Sequence, residues 1–400
     1  MMKRIALIFA IALTACTAKA PLSLQVVRSE IARNPEATYI DGLEGSLKWN
    51  YTTGLELKAM LDMADQVGHD GFRHSRLDRE SVIDYVDAWY DAIIDSTGHI
   101  YKYKKSNYSQ DHICPGRTLF QLYDITGKEK YRAAMDTLYS QLQSQPRTPE
   151  GGFWHKQIYP EQMWLDGLYM GEPFYAEYTV RYVADTLSRN ANFEDIVHQF
   201  SLVFDKTLDP ETGLLRHAWD SSAQMFWSDE ETGQSAHAWG RAMGWYAMAL
   251  VDVIDILPAG QYKDDLVLLL NRVFDSVLLF ADQSTLMWYQ VLDRPYADGN
   301  YLEATCSAMF VYAMLKGSRL GILENVTRED ALLRYEDLLK TFVTVEDGLV
   351  NLNSCCEVAG LGGKQNRAGD YDYYISEPVR SNDPKGIGPL IWASLEAERL

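Results

Sequence analysis

Gly116-Arg117-Thr118-Leu119-Phe120-Gln121-Leu122-Tyr123 leads through Thr126-Gly127 into Lys128-Glu129-Lys130-Tyr131-Arg132-Ala133-Ala134-Met135-Asp136-Thr137-Leu138. Apolar residues recur at i, i+3 and i+4 in both halves, and Gly marks the start and the break, so this stretch predicts two helices joined by a tight turn. Gly54-Leu55-Glu56-Leu57-Lys58-Ala59-Met60-Leu61 opens a similar helix. Strand-like alternation is scarce and limited to pieces such as Leu286–Leu292.

Gly54, Gly116, Pro173, Gly244, Ser307 and Gly388 each open an apolar helix, at separations of 62, 57, 71, 63 and 81 residues. Each interval holds that helix, a turn, a more amphipathic helix and a loop. Six such hairpins that close on themselves form an α/α toroid, an (α/α)6 barrel. The helices apolar on all sides would line the inside, and their charged partners would face solvent. The competing reading is a loosely organised helical protein. In a toroid the loops before the inner helices gather at one face, where function is expected. Tyr51 precedes Gly54, Asp111 precedes Gly116, Asp166 precedes Pro173, and Trp239 and Arg241 precede Gly244.

No Pro/Gly/Ser linker or low-complexity tract divides the chain after its first residues. The expected organisation is an export signal over 1–20, a lead-in over 21–45 and one catalytic domain over 46–400. Lys3-Arg4 and the apolar run Ile5 to Leu13 read as a signal too short to span a bilayer as a mature helix. Leu13-Thr14-Ala15-Cys16 fits a bacterial lipoprotein box; Ala18-Lys19-Ala20 fits a competing signal-peptidase site. The expectation is an exported, periplasmic protein anchored by lipid at Cys16. Cys114, Cys306, Cys355 and Cys356 show no framework spacing and read as free and buried. No zinc spacing, calcium loop or phosphate-binding Gly pattern is present, so no metal or cofactor is expected.

A formal charge of −19 argues against nucleic acid and anionic membrane as partners. An anionic small substrate needs local basic groups, for which His155, Lys156, His217 and Arg241 are the candidates. Six of the ten Trp fall between Trp154 and Trp245, which marks either the cleft or a Trp-rich core segment.

Tyr159-Pro160-Glu161-Gln162-Met163-Trp164-Leu165-Asp166-Gly167-Leu168-Tyr169-Met170 sets one carboxylate in an apolar, aromatic run. Such an Asp is either tied into a structural network or kept for proton chemistry with a raised pKa. Gly151-Gly152-Phe153-Trp154-His155-Lys156 lies just upstream, and together these suggest a site for a sugar acid. Asp209-Pro-Glu-Thr-Gly-x-x-x-His217-Ala-Trp219 is echoed by Asp229-Glu-Glu-Thr-Gly-x-x-x-His237-Ala-Trp239, which reads first as two similar turns.

These motifs, with Trp239-Gly-Arg-Ala-Met-Gly-Trp245 and Tyr371-Asp-Tyr-Tyr-Ile-Ser…Ser381-Asn-Asp, resemble the unsaturated rhamnogalacturonyl hydrolases of glycoside hydrolase family 105, relatives of the unsaturated glucuronyl hydrolases. The similarity runs in order from about Trp49 to the C-terminus. It implies an (α/α)6 barrel and places the catalytic acid at Asp166. It places a second important carboxylate at Asp111, where the match is thinner. It implies substrate contacts at Tyr51, His155, Trp164, His217, Trp239, Arg241 and Trp245.

The implied substrate is a disaccharide-sized oligosaccharide ending in a 4,5-unsaturated uronyl residue, a vinyl ether conjugated to a carboxylate. An acid protonates C4 and water adds at C5; the hemiketal then opens and the remaining sugar is expelled. This route needs a protonated carboxyl, which desolvation of Asp166 and the negative charge of Asp111 would favour. Arg241 would pair with the substrate carboxylate, or else serve as a structural ion-pair partner. Trp164 and Trp245 would stack on sugar faces. Lys156 reads as solvated and without a role. The uronyl is galacturonyl on rhamnose in one reading and glucuronyl from ulvan, arabinogalactan or glycosaminoglycan fragments in another. A third reading is a lipid-anchored glycan-binding protein without catalysis.

Overall fold

A computed structural model describes residues 20–71 and 77–399. The export segment, Cys16 included, lies outside the described residues apart from Ala20. Thirteen α-helices are found among the described residues: α1 (Leu22–Arg33), α2 (Tyr51–Gly71), α3 (Arg79–Ile93), α4 (Arg117–Thr126), α5 (Glu129–Leu142), α6 (Leu165–Tyr182), α7 (Thr186–Thr207), α8 (Gly240–Ile256), α9 (Gln261–Val277), α10 (Ala304–Leu320), α11 (Arg328–Phe342), the short α12 (Tyr371–Ser376) and α13 (Pro384–Glu398). Three two-stranded ribbons accompany them, beginning with β1 (Gln162–Trp164) paired to β2 (Ala218–Asp220).

Helices α2, α4, α6, α8, α10 and α13 form an inner ring, and α1, α3, α5, α7, α9 and α11 pack outside it. Burial separates the two sets. Helix α8 is buried without a break from Gly240 to Ile254 and α10 from Ala304 to Gly317. Outer helix α11 buries only Ala331, Tyr335, Leu338 and Phe342, a single stripe at helical spacing. The architecture is the expected (α/α)6 barrel.

The small residues that suggested it work differently from their first reading. A Cβ on Gly54 would stand 2.6 Å from Pro115, and one on Gly116 2.9 Å from Phe174. On Gly244 it would stand 2.7 Å from Met309, and on Gly388 3.1 Å from Leu55. Each lies where one inner element meets the next, and Gly388 against Leu55 closes the ring. Pro173 opens nothing: it sits inside α6, which begins eight residues earlier at Leu165. The 21–45 stretch, read as a lead-in, supplies outer helix α1, packed on α13. Leu286–Leu292 makes only isolated bridges, Trp239 to Val291 and Tyr289 to Leu302.

The connections are unequal. Residues 127–128, 183–185, 257–260 and 321–327 are short links from inner to outer helices. The opposite connections, 34–50, 94–116, 143–164, 208–239, 278–303 and 343–383, are long and all lie at the N-terminal end of the inner helices. That end carries the candidate site residues Asp111, His155, Asp166 and His217. Cys114, Cys306, Cys355 and Cys356 are free and buried, as expected. No helix among the described residues is long and apolar enough to cross a membrane.

Candidate active site

Backbone hydrogen bonds stitch the long loops together. The Gln110 amide donates to His155 O (3.1 Å), and the His155 amide to Gln162 O (2.8 Å). The β1–β2 ribbon sets Met163 opposite Trp219 and Trp164 opposite Ala218. The Leu165 amide donates to His217 O, and the His217 amide to His237 O, each at 3.1 Å. Residues distant in sequence are thereby held around the first turn of α6, where Asp166 sits.

Gly167 lets this packing happen. A Cβ there would stand 2.9 Å from Gln110 Oε1 and 3.1 Å from His155 Nδ1. Asp166, 15% exposed, brings Oδ2 to 3.1 Å from Nε2 of fully buried His217. The approach lies off the line a hydrogen bond needs, and neither atom has another partner among the described residues. On its far side, His217 Nδ1 lies 2.7 Å from the hydroxyl oxygen of Tyr374, which α12 supplies.

Asp111 stands on the neighbouring loop, its side chain 19% exposed. Lys156 Nζ lies 2.5 Å from Asp111 Oδ2 and His155 Nε2 3.5 Å from Oδ1. Burial, the largest single influence, pushes the Asp111 carboxyl up, but the Lys156 ammonium together with His155 and His112 holds it below its ordinary range. Burial drives His155 down to about 4, so it meets Asp111 as a neutral ring. Asp111 is therefore charge-compensated, not the bare negative neighbour expected. Lys156, expected to be solvated, is the residue that compensates it.

Tyr51 opens α2 beside this group, its ring edge-on to Trp245 at 6.5 Å. Burial holds its phenol well above the ordinary value; Asp111 adds to this and Arg241 opposes it. The expected sugar platforms pack against protein instead. Trp164 is buried and lies flat against His155 and Tyr159, at 4.6 and 4.9 Å. Trp245 is buried against Tyr169 at 4.8 Å. Trp239 stacks on Tyr374 at 5.9 Å and donates through Nε1 to Gln290.

Arg241, 1% exposed, has its fork engaged: Nη2 meets Glu303 Oε1 at 3.1 Å, Thr305 at 3.3 Å and the Cys356 carbonyl, and only Nε lacks a partner. Of its two expected roles, these contacts are those of the structural ion pair. No group of His, Cys, Asp and Glu among the described residues could hold a metal ion.

The profile for Glycosyl Hydrolase Family 88 matches residues 22–400. A solved family 105 glycoside hydrolase from C. acetobutylicum ATCC 824 is 43% identical, superposes with a TM-score of 0.85, and the match covers 94% of this chain and 99% of that one. The chain belongs to the family 88/105 glycoside hydrolases. Among its relatives, a protein of Agrobacterium fabrum strain C58 is 38% identical over 235 residues, 57% of this chain and 98% of that protein. An unsaturated rhamnogalacturonyl hydrolase of Bacillus subtilis strain 168 is 30% identical over 220 residues, 51% of this chain and 57% of that enzyme. The protein is thus a glycoside hydrolase.

In this family 88/105 hydrolase, four roles were not read from the sequence. Lys156 was legible in principle, since it adjoins His155 in one motif. Gln110 and Glu303 carried no signal, being polar residues in loops of ordinary composition. Tyr374 lay in a motif that gave likeness without a role. The Asp-x-x-Thr-Gly echo is two turns of one kind: Asp209 and Asp229 each accept from the Thr three residues on, and Gly213 and Gly233 take φ of 73° and 74°. His237, the second His of the echo, is bound to Asp293 at 2.8 Å and away from Asp166.

Proposed function

We propose that this hydrolase hydrates the 4,5-double bond of an unsaturated galacturonyl residue at the non-reducing end of rhamnogalacturonan oligosaccharides and releases that residue from rhamnose. Asp166 carries the proton to C4. Water then adds its oxygen to C5 and returns a proton to the Asp166 carboxylate. The hemiketal at C5 opens by breaking its bond to the ring oxygen, which leaves a hemiacetal at C1 that expels the sugar. The carbanion-like C4 of a vinyl ether accepts a proton directly, so one carboxyl serves as acid and then as base. Asp111, ionised and fixed by Lys156, is an acceptor for sugar hydroxyls.

The observation that carries this reading is the setting of Asp166. It stands at the mouth of the barrel, largely shielded and against a buried His, and it shares the neighbours His155 and Tyr51 with a second carboxylate whose charge is already matched. The galacturonyl-on-rhamnose specificity is supported by the likeness to the Bacillus subtilis enzyme over half of this chain. Turnover of unsaturated galacturonyl-rhamnose and of unsaturated glucuronyl disaccharides, followed by loss of the conjugated double bond's ultraviolet absorbance, tests it. Faster turnover of a glucuronyl substrate would move the specificity. Asp166→Asn tests the mechanism: hydration collapses while binding persists, and an active variant would remove Asp166 from it. A parent that binds these disaccharides without converting them would be a glycan-binding protein instead.

A further inference from the structure

Tyr374, His217 and Asp166 form a line that the mechanism above does not use. Tyr374 Oη lies 2.7 Å from His217 Nδ1, and His217 Nε2 lies 3.1 Å from Asp166 Oδ2. Tyr374 and His217 are both fully buried, so solvent cannot satisfy either. A phenol has one proton to donate, and a neutral imidazole has one nitrogen that donates and one that accepts. Among the described residues, the one hydrogen-bond partner of Tyr374 Oη is His217 Nδ1. If Nδ1 carried the imidazole proton, the phenol proton would be buried without an acceptor, at a cost of about 1–3 kcal/mol. Hydrogen-bond accounting therefore gives the Tyr374 proton to Nδ1 and leaves the imidazole's own hydrogen on Nε2, facing Asp166.

The phenol is itself held in place. The Tyr374 carbonyl accepts from Gln290 Nε2 at 3.2 Å, and the ring lies against Trp239 at 5.9 Å and 22°. Trp239 Nε1 donates to Gln290 Oε1 at 3.1 Å. One glutamine thus braces the Trp239 ring and the Tyr374 backbone, and Trp239 enters the site as support for Tyr374.

We propose that Tyr374 is a positioning residue: it fixes His217 as the Nε2–H tautomer, so that this N–H meets Asp166 Oδ2 and leaves Oδ1 to carry and return the proton. The proposal rests on Asp166 being the acid. The N–H stabilises the carboxylate that remains once C4 is protonated. Contacts of this kind are often misaligned until substrate binds, as this one is.

The test uses the full chain labelled with 15N-histidine, with the ring signals of His217 assigned by comparison with His217→Gln. The expected parent spectrum shows a protonated Nε2 and an unprotonated Nδ1. In Tyr374→Phe, which keeps the ring against Trp239, the single tautomer is lost. Its kcat falls about tenfold or more, with KM within about twofold of the parent. A parent with the proton on Nδ1, or a Tyr374→Phe enzyme with parental kcat, overturns the proposal. The tautomer is read without turnover. A parent inactive on every unsaturated disaccharide would defeat the functional reading, while the spectrum would still decide how Tyr374 and His217 share their protons.

Discussion

Lys156 Nζ sits 2.5 Å from Asp111 Oδ2, joining the loop that follows α3 to the loop that follows α5 across the barrel mouth. Removing the ammonium takes away the largest influence opposing burial on Asp111. In Lys156→Met the carboxyl rises from below its ordinary value of 3.8 to above it. Because a depressed carboxyl contributes stability above its unfolded pKa, the variant loses about 1–2 kcal/mol near neutral pH, and the loss shrinks as pH falls toward 4. Urea unfolding of parent and variant at pH 7.5 and pH 4.5 checks this; an equal loss at both pH values would show that the ion pair is not its source.

The same pair shows how far the sequence could be read. Period and composition revealed the barrel, because a helix buried on every side differs in kind from one with a single apolar stripe, as α8 and α11 do. The motif around Asp166 pointed to the candidate site, because an isolated carboxylate among aromatics is costly without a use. Pairings across loops stayed hidden. Asp111 finds Lys156, Arg241 finds Glu303 and His217 finds Tyr374 over 45, 62 and 157 residues, and no local pattern encodes such distances. Trp164 and Trp245 were read as platforms because aromatic content does not say which ring faces a cleft and which faces a neighbour.

The ring contacts give a ranking. Gly54→Ala places a Cβ 2.6 Å from Pro115 Cβ and 2.7 Å from its Cα, so backbone must move. Gly388→Ala meets Leu55 at 3.1 Å, where a side chain can shift. Alanine in a helix gains about 0.5–1 kcal/mol over glycine, whereas overpacking costs about 1–3 kcal/mol. Gly54→Ala is therefore destabilising and Gly388→Ala close to neutral. Differential scanning calorimetry should show a lowered Tm for the first alone; the reverse order would refute the contact ranking.

Glu30 of α1 is buried against Glu56 of α2, and burial pushes its carboxyl up to about 7, with Arg33 opposing. Glu56 is pushed well above its ordinary value by burial and by Glu30. A carboxyl raised on folding contributes stability that is complete below its unfolded pKa of 4.5 and lost as pH rises through about 7. The window corresponds to at most about 3 kcal/mol. Glu30→Gln abolishes that slope, and Arg33 keeps its bonds to Val350 O and Asn351 Oδ1, both 2.6 Å. Tm measured from pH 5 to pH 8 should fall in the parent and run flatter in Glu30→Gln; parallel curves would exclude Glu30.

Asp252 does for the far end of the barrel what backbone bonds do for the mouth. It accepts from Arg117 of α4 at 2.8 Å and from Lys316 and Tyr312 of α10 at 2.9 and 2.6 Å, tying three inner helices together. Burial pushes its carboxyl up, yet Lys316 and Arg117 hold it far below the ordinary range. Both cations are themselves buried, so Asp252→Asn leaves Arg117 without its counter-charge and Lys316 with only the more exposed Asp255, at 3.2 Å. Breaking a buried pair from one side costs about 3–5 kcal/mol, while a surface pair is worth less than about 1. Lys340→Ala, at an exposed pair with Asp337, is the matched control. Denaturant midpoints should separate the two by that margin. Equal midpoints for Asp252→Asn and the parent would mean that water at Arg117 and Asp255 at Lys316, not Asp252, compensate the two cations.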